Sequence, residues 1–478
     1  MMGKAQSAEP KLFYTGISLE RRIATDHPLR RIKQLVDFDF VRREVGDHYG
    51  RRGNPSVDPA VILKLMFLLF YENVKSERTL MRQLPVRLDW LWFCDYDLDA
   101  QTPHHSVLSK ARRRWGLEVF TGFFTQILQQ CIDAGLVDGQ TVHIDSSMID
   151  GNASKDKLRP QLRQVAESFY AGLEGQCEAT SDPSREDDSD EGSAPPVQRR
   201  VHPADPDARL GRKYGKSTLG YKDHRVVDDR CGIVTATVTT AANVNDSDVL
   251  IASLWRHEAN TRTPSRTVVA DKGYGVIKNY RYLHDRGIAA CVPHQRRARK
   301  KGRFGYEQFR YDKGRDGYIC PAGQVLYKRH NAINNQSHCY ECPRATCEAC
   351  AYFEKCVTSE VHGRLVHRNV EASTVEWADR CLSPGYRRRL LSRRRYKAEG
   401  SYADAANNHG FKRARWRGLI RMQMQNLMIA AIQNLRKLLR SRPEMPPSAT
   451  AATIKGLITD FCSIWRLMAG LNPYLNTC

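Results

Sequence analysis

Two aspartates are placed where a buried carboxylate would bind a divalent cation. Asp145 directly follows the apolar residues VHI, and Asp271 directly follows TVVA. Both segments are typical of buried β-strands, and an acid at the end of such a strand is costly unless a cation or hydrogen bonds compensate its charge. The other interpretation is an exposed carboxylate that caps a turn. Asp150 and Asp156 also follow the first strand, but Asp145 is preferred because it adjoins VHI.

A third carboxylate, Glu399, lies in a predicted helix within the segment RRYKAEGSYADAANNHGFKRARWRG. On a helix, Arg395, Glu399 and Tyr402 share one face because residues four and seven apart lie above one another. Spacing alone favours a surface ion pair between Glu399 and the surrounding basic residues. A metal ligand is the alternative interpretation.

The cysteines of residues 320–356 form a second candidate metal site. They include two CxxC pairs, and one such pair can occupy two corners of the tetrahedral shell of Zn²⁺. The preferred ligands are Cys320, Cys347, Cys350 and Cys356, and the alternative ligands are Cys339, Cys342, Cys347 and Cys350, with His338 as a substitute. Four thiolates leave no open coordination position, so the zinc is predicted to be structural. A small subdomain of reduced thiols is the other interpretation.

The elements that must position these residues begin with helices. The apolar residues 59–71 predict a helix with Ser56 and Asp58 as candidate N-caps. The segments 76–84 and 103–115 are similar to a helix-turn-helix pair. The second segment carries the basic residues Lys110, Arg112, Arg113 and Arg114. Contact with DNA is predicted here, and a helical bundle with a solvated basic face is the alternative.

Strand and helix signals after residue 137 predict an α/β fold. Their order is strand, β-hairpin, helix, strand, helix, strand, which describes a mixed sheet with flanking helices. The segments are 141–149, 220–228, 232–240, 248–259, 267–270, 276–287 and 288–293.

Changes in composition divide the chain into five predicted regions. They are a helical DNA-binding domain over 20–136; the first part of the α/β core over 137–294, with a disordered acidic insertion over about 175–198; a basic and Cys-rich insertion over 295–384; the second part of the core, with a basic C-terminal helix, over 385–441; and a last helix over 450–478.

The charge balance points to a polyanionic partner. The 478 residues include 75 Lys and Arg against 53 Asp and Glu, a net charge of +22. An excess of this size favours nucleic acid, because Lys and Arg that pair with phosphates release condensed counterions. The longest apolar run, residues 60–71, is shorter than the ~20 residues of a membrane span and contains Lys64. No secretion signal is evident, so a cytoplasmic location without membrane contact is expected.

Several segments resemble insertion-sequence transposases of the DDE superfamily. IDSSMIDGNASKDKL, which contains Asp145, is similar to their first-aspartate segment, and VVADKGY, which contains Asp271, to their second. GYKDHRVVD and GIVTATVTTAANVNDSDVL resemble their second and third strands and the helix that follows. The segment around Glu399 resembles their glutamate helix. Residues 30–135 are similar to their N-terminal domain, so the resemblance runs over most of residues 20–440.

The resemblance implies an RNase H-like mixed sheet with flanking helices, preceded by an all-α N-terminal domain and interrupted by a Cys-rich insertion. It implies that Asp145, Asp271 and Glu399 are catalytic and hold Mg²⁺ (or Mn²⁺). Two cations about 4 Å apart can activate a water or a 3′-OH and stabilise the leaving oxygen of a phosphodiester. The chain departs from the family pattern at Ser392, where the family has Tyr, and at Ala406, where it has Lys.

The implied function is that of a DNA transposase, which binds terminal inverted repeats, cleaves strands and joins the ends to target DNA. A homodimer or higher oligomer on DNA and association with the nucleoid are expected. Two other functions stay open: a non-catalytic DNA-binding protein derived from a transposase, and a metal-dependent nuclease without strand joining. The predicted DNA contacts are Arg112, Arg113, Arg114, Arg395, Lys412, Arg413 and Arg415.

Overall fold

The computed structural model describes residues 2–3, 18–50, 52–53, 55–160, 200–213, 215–294, 302–334 and 337–441. The predicted acidic insertion over 175–198, the last helix over 450–478 and most of the basic loop over 295–303 lie outside the described residues. The described chain is of mixed α/β structure and divides into two compact units. The first unit comprises residues 1–264 and 395–478, and the second comprises residues 265–394.

Helices dominate the first part of the first unit. They are α1 (Leu19–Arg22), α2 (Pro28–Leu35), α3 (Phe40–Glu44), α4 (Pro59–Tyr71), α5 (Glu77–Gln83), α6 (Leu88–Phe93), α7 (Ser106–Trp115) and α8 (Glu118–Asp133). Of the two candidate caps, Asp58 is the N-cap of helix α4: its carboxylate accepts a hydrogen bond from the Ala60 N–H at 3.1 Å, and Pro59 occupies the first turn. Because α4 is buried on almost every side, it forms the centre of this region.

The sheet of the first unit is built from antiparallel strands. Strand β1 (Thr141–Asp150) pairs with β5 (Lys216–Asp228), whose other edge pairs with β4 (Arg209–Lys213) and with β6 (Val234–Ala241). Two short strands, β2 (Arg159–Pro160) and β3 (Arg200–Val201), pair with each other. Helix α9 (Leu250–Thr261) packs against β5 and β6. The predicted hairpin and the helix that follows it are therefore present.

Helix α16 (Leu419–Ser441) joins the N-terminal helices to this sheet. It follows α15 (Gly400–His409) and packs against α4, α8 and β6. Its buried amide side chains saturate the backbone of β6. Gln423 accepts from Thr239 N at 2.7 Å, and Asn434 accepts from Val234 N at 2.8 Å. An edge strand whose backbone groups are bonded in this way is protected from pairing with other chains.

One hydrophobic core contains the N-terminal helices, β5, β6 and α16. The predicted boundary between residues 136 and 137 is therefore not a boundary between compact units. The units are instead separated at residues 264/265 and 394/395. The reason is that α16, which lies about 300 residues from the N-terminal helices in sequence, shares its apolar face with them.

The second unit contains a small parallel strand pair and a five-stranded antiparallel sheet. Strand β7 (Thr267–Ala270) pairs in parallel with β8 (Ala289–Cys291), and α10 (Ile277–Asp285) connects them. The antiparallel sheet has the order β13-β12-β11-β10-β9. Its strands are β9 (Arg310–Asp312), β10 (Gly317–Ile319), β11 (Val325–Asn334), β12 (Ser337–Glu341) and β13 (Leu365–Asn369). The helices are α11 (Arg344–Glu348), α12 (Phe353–Cys356), α13 (Ala372–Arg380) and α14 (Pro384–Arg394).

Candidate functional site

Asp145 lies within β1 and is 9% exposed. Its register partner on β5 is Arg225, and one carboxylate oxygen accepts from the Ser146 N–H at 2.9 Å. The prediction that Asp145 ends its strand was wrong. The strand continues to Asp150 because residues 146–150 keep pairing with β5.

Glu399 is an exposed residue at the end of a π-helical segment, Arg395–Glu399, which leads into α15. This segment packs against β1 and β5. A π-helical turn widens the spacing of side chains and is frequent at functional sites. The predicted helix is therefore present, but its local geometry at Glu399 differs from the regular α-helix that the spacing assumed.

Tyr402 fixes the glutamate helix on the strand that carries Asp145. The buried Tyr402 hydroxyl lies 2.6 Å from the Asp223 carbonyl oxygen and 3.1 Å from the Asp145 carbonyl oxygen, and it donates to them. Glu399 precedes Tyr402 by three residues, which is close to one helical turn. The structure thus brings the elements of Asp145 and Glu399 together.

A buried ion pair on β5 also supports the contact between the glutamate helix and the sheet. The Arg225 Nε lies 2.7 Å from the Asp223 carboxylate, and both side chains are fully buried. The Arg225 Nη1 donates to Gln433 on α16 at 2.7 Å and to the Ser401 hydroxyl on α15 at 3.1 Å. Burial raises the pKa of Asp223, and the charge of Arg225 opposes this rise. Arg225 therefore connects the central strand to both helices that follow the second unit.

This ion pair lies within residues 220–228, where the sequence pattern predicted only a strand. Asp223 and Arg225 are two residues apart, so they lie on the same face of β5. Oppositely charged residues at this spacing within a predicted strand were the available signal.

Asp271 directly follows β7, as predicted, and belongs to the second unit. Its carboxylate accepts from the Gly273 N–H at 2.8 Å and caps the 3-10 turn Lys272–Tyr274. Asp145 and Glu399 belong to the first unit. Among the described residues, no group of three or more His, Cys, Asp or Glu side chains is arranged to hold a metal ion.

Two of the predicted DNA contacts, Arg112 and Arg415, instead bond to other parts of the protein. Arg112 is 6% exposed, forms an ion pair with Glu77 and stacks 4.0 Å from the centre of the Trp416 ring. Arg415 donates to Leu69 O at 3.0 Å, and burial lowers its pKa to about 10. Arg112 thus connects α7 with α5 and with the segment before α16, and Arg415 connects that segment with α4.

The other predicted DNA contacts are exposed: Arg113, Arg114, Arg395, Lys412 and Arg413. The Lys412 Nζ donates to the Ser147 hydroxyl at 2.7 Å, and the Lys412 carbonyl accepts from Asp150 N at 2.9 Å. Ser147 shares a face of β1 with Asp145, so Lys412 brings a cation to that face. The helices α5 and α7 are separated by α6, so they do not form a consecutive helix-turn-helix pair.

The cysteine insertion gathers thiols around one hydrophobic cluster of the second unit. Cys342 and Cys347 are buried in this cluster, and Cys320 and Cys356 pack against it. Burial raises the pKa of the Cys342 thiol to about 12, and its hydrogen bond with Cys347 acts in the same direction. Backbone N–H groups donate to sulfur at two positions, from Gln324 to Cys320 at 3.3 Å and from Tyr352 to Cys350 at 3.5 Å.

Cys339 is placed differently from these thiols. It lies in β12 opposite His367, and the charged groups that act on its pKa are Arg329 and Glu341. Its partner in the CxxC pair, Cys342, instead interacts with Cys347, Cys320 and Cys356. The two cysteines of this pair therefore do not point to one common site.

Comparison with known families decides the relationship of the chain. Residues 17–114 match the family model described as a transposase domain (DUF772), and residues 319–439 match the family model described as a transposase DDE domain. Two transposase models thus match separate regions of the chain, which supports a DDE-type transposase. Of the three predicted catalytic acids, Glu399 lies in a matched region of the transposase, and Asp145 and Asp271 lie between the two regions.

Among solved structures, the transposase is similar to a piggyBac transposase synaptic complex with hairpin DNA, determined by cryo-EM. The sequences are 10% identical, the match covers 95% of this chain and 84% of the other chain, and the TM-score is 0.35. No curated protein matches the transposase significantly. No helix among the described residues is long and apolar enough to cross a membrane.

Proposed function

We propose that this transposase binds the ends of a DNA element, cleaves a phosphodiester bond at each end and joins the resulting 3′-OH to target DNA. The observation that carries the proposal is the contact of Tyr402 with the strand of Asp145, which holds the helix of Glu399 against that strand. Such a contact keeps two carboxylates on rigid elements, as metal-dependent phosphoryl transfer requires.

The catalytic fold is proposed to be RNase H-like. The antiparallel order β6-β5-β1 in the first unit and the parallel pair β7-β8 in the second unit support this assignment. The proposed catalytic residues are Asp145, Asp271 and Glu399. Two of the three carboxylates are oriented by backbone N–H groups, those of Ser146 and Gly273.

Carboxylate oxygens are hard ligands, so the donor set fits Mg²⁺ or Mn²⁺. When bound, two such ions would activate the attacking water or 3′-OH and stabilise the leaving oxygen. The exposed Lys412, held beside β1 by Ser147, is proposed to contact the DNA backbone in place of the lysine that is Ala406 here. Because two ends must be cut, a homodimer or higher oligomer on DNA is proposed, with association with the nucleoid.

The deciding experiment incubates the purified transposase with labelled DNA from the ends of its element, a plasmid target and Mg²⁺. Cleavage and joining are scored separately. Cleaved ends that appear in the plasmid support transposition. Cleavage without joining would identify a nuclease, and binding without either reaction would identify a non-catalytic DNA-binding protein.

A structural zinc site is proposed in the second unit. The thiols that surround the hydrophobic cluster fit Zn²⁺ because thiolates are its preferred soft ligands, and N–H groups that donate to sulfur orient such ligands. The proposed ligands remain Cys320, Cys347, Cys350 and Cys356, with Cys342 as a fifth thiol beside Cys347.

The substitution Cys347→Ser is expected to reduce bound zinc from about one ion per chain to a small fraction of that, because a hydroxyl is a poor zinc ligand. Zinc would be measured by mass spectrometry of chelator-washed protein. The matched control is Cys339→Ser, which changes a buried cysteine of the same unit, in β12, and should leave the zinc content unchanged. Equal zinc loss in both variants, or no zinc in the parent protein, would contradict the ligand set.

Discrimination of the terminal sequence is proposed for α7, through the exposed Arg113 and Arg114. Replacing both residues with Ala should lower the affinity for the terminal repeat about tenfold more than the affinity for random DNA, because base contacts are worth roughly 1–3 kcal/mol each. Replacing Lys412 and Arg413 with Ala should weaken both affinities about equally, since phosphate contacts carry no sequence information. Fluorescence anisotropy measures both. Equal losses from the two pairs would show that α7 only positions the backbone.

A further inference from the structure

A cavity of about 820 Å³ lies beyond the end of β1 in the first unit. Its walls are the loop of residues 151–158, the segment 202–204, and the side chains of Arg413 and Arg417. Arg417 is held in place by a hydrogen bond from its Nε to Asn152 O at 2.9 Å. Arg413 is held through its backbone, which forms a bridge to Asp150.

His202 lines this cavity and has a hydrogen-bonding group without a partner. The residue is 4% exposed, and its Nδ1 accepts from Ala204 N at 3.1 Å. Because Nδ1 is an acceptor, the neutral ring carries its proton on Nε2, which is then a donor. Among the described residues, the buried Nε2 has no hydrogen-bond partner. A buried donor of this kind favours binding of an external acceptor.

The charges of the cavity are also unbalanced. Lys157, Arg413 and Arg417 contribute three positive charges, and Asp156 contributes one negative charge. None of the three cations forms an ion pair with an acidic side chain in the described part of the chain. The lining therefore offers several donors and excess positive charge, which suits an anion with oxygen acceptors.

We infer that this cavity binds a phosphodiester of the DNA backbone, with the His202 Nε2–H, Lys157, Arg413 and Arg417 as donors. The inference rests on the proposed function. A DNA phosphodiester is favoured because the cavity lies just beyond the end of β1, the strand that carries Asp145. Five residues separate Asp145 from Asp150, which is about 17 Å at about 3.3 Å per residue. For a duplex that runs along β1 with a rise of about 3.4 Å per base pair, the bound phosphate lies about five base pairs from the cleaved bond.

The experiment combines phosphate neutralisation with substitution. Duplexes from the element end carry one neutral methylphosphonate each, at successive positions, and the dissociation constant is measured for the wild type and for Arg417→Gln, Lys157→Gln and His202→Asn. The Asn oxygen of His202→Asn can still accept from Ala204 N, so the turn is retained while the Nε2–H is lost. The control is Lys313→Gln, which removes one exposed charge from the second unit. Thermal unfolding confirms that each variant is folded.

For the wild type, one methylphosphonate about five nucleotides from the cleaved bond should weaken binding about tenfold. In the three cavity variants the same modification should have little further effect, whereas Lys313→Gln should behave as the wild type. Equal sensitivity in all proteins at every position would overturn the inference while leaving DNA binding intact. Binding of millimolar inorganic phosphate to the wild type but not to Arg417→Gln, with the duplex still bound, would also overturn it, because the cavity would then hold free phosphate and not the DNA backbone. Absence of any DNA binding would instead refute the proposed function.

Discussion

Replacement of Asp145 or Asp271 by Asn, or of Glu399 by Gln, is expected to reduce DNA strand cleavage by about a thousandfold or more. This corresponds to roughly 4 kcal/mol of transition-state stabilisation, a normal share for a charge that serves metal-assisted phosphoryl transfer. The amides keep the size of the side chains and remove only their charge. DNA affinity should change less than about threefold, because phosphate binding is provided by Lys and Arg.

The measurement is the rate of cleavage of labelled end DNA at saturating protein, with affinity measured separately in Ca²⁺. The matched control is Asp150→Asn, which changes an exposed acid on the same strand. Asp150 bonds to neighbouring segments through its backbone, so the substitution keeps these contacts. Retention of a tenth or more of the cleavage rate in any of the three variants would exclude that residue from catalysis. A loss in Asp150→Asn as large as in Asp145→Asn would show that charge on β1, and not one carboxylate, is needed.

Replacement of Asp223 by Ala is expected to lower the free energy of unfolding by about 3–5 kcal/mol. The change leaves the fully buried guanidinium of Arg225 without its counter-charge, and an unpaired buried charge is among the most destabilising defects in a protein. It also removes a hydrogen bond between Asp223 and the Thr237 hydroxyl on β6. Because Arg225 bonds to Ser401 and Gln433, α15 and α16 should lose part of their support, and cleavage should fall with stability.

Urea unfolding followed by tryptophan fluorescence measures this effect, since Trp90, Trp115 and Trp416 lie in the core of the first unit. The double variant Asp223→Ala, Arg225→Met is the control. It removes both charges, so it should be more stable than Asp223→Ala alone. The single variant Arg225→Met completes the comparison. If the double variant loses as much stability as Asp223→Ala and Arg225→Met lose together, the two residues do not interact as the structure indicates.

Local patterns in the sequence were sufficient to predict several helices and strands. The apolar run of residues 59–71 predicted the helix α4, and TVVA predicted β7 with its observed bounds. The order of hairpin, helix and strand was also predicted. These features depend on residues that are neighbours in the chain, where periodicity and capping act directly. The resemblance to DDE transposases, which the family models support, depended on the same local segments.

Tertiary structure decided the role of individual side chains. A run of basic residues does not reveal that Arg112 and Arg415 are directed inward, because Glu77, Trp416 and Leu69, their partners, are distant in sequence. The cysteine spacing did not reveal that Cys342 and Cys339 separate, since this depends on the path of β12 and the loop after it.

The division of the chain into compact units also depends on contacts between residues that are distant in sequence. Arg225 and Gln433 are 208 residues apart in sequence, and the residues of the second unit lie between them in the chain. Their hydrogen bond connects β5 with α16 within the first unit. The sequence by itself therefore determined which elements form and what chemistry their residues offer. Which charges are buried, paired or left facing the solvent was decided by contacts over hundreds of residues, because burial and pairing depend on distance in space and not on distance along the chain.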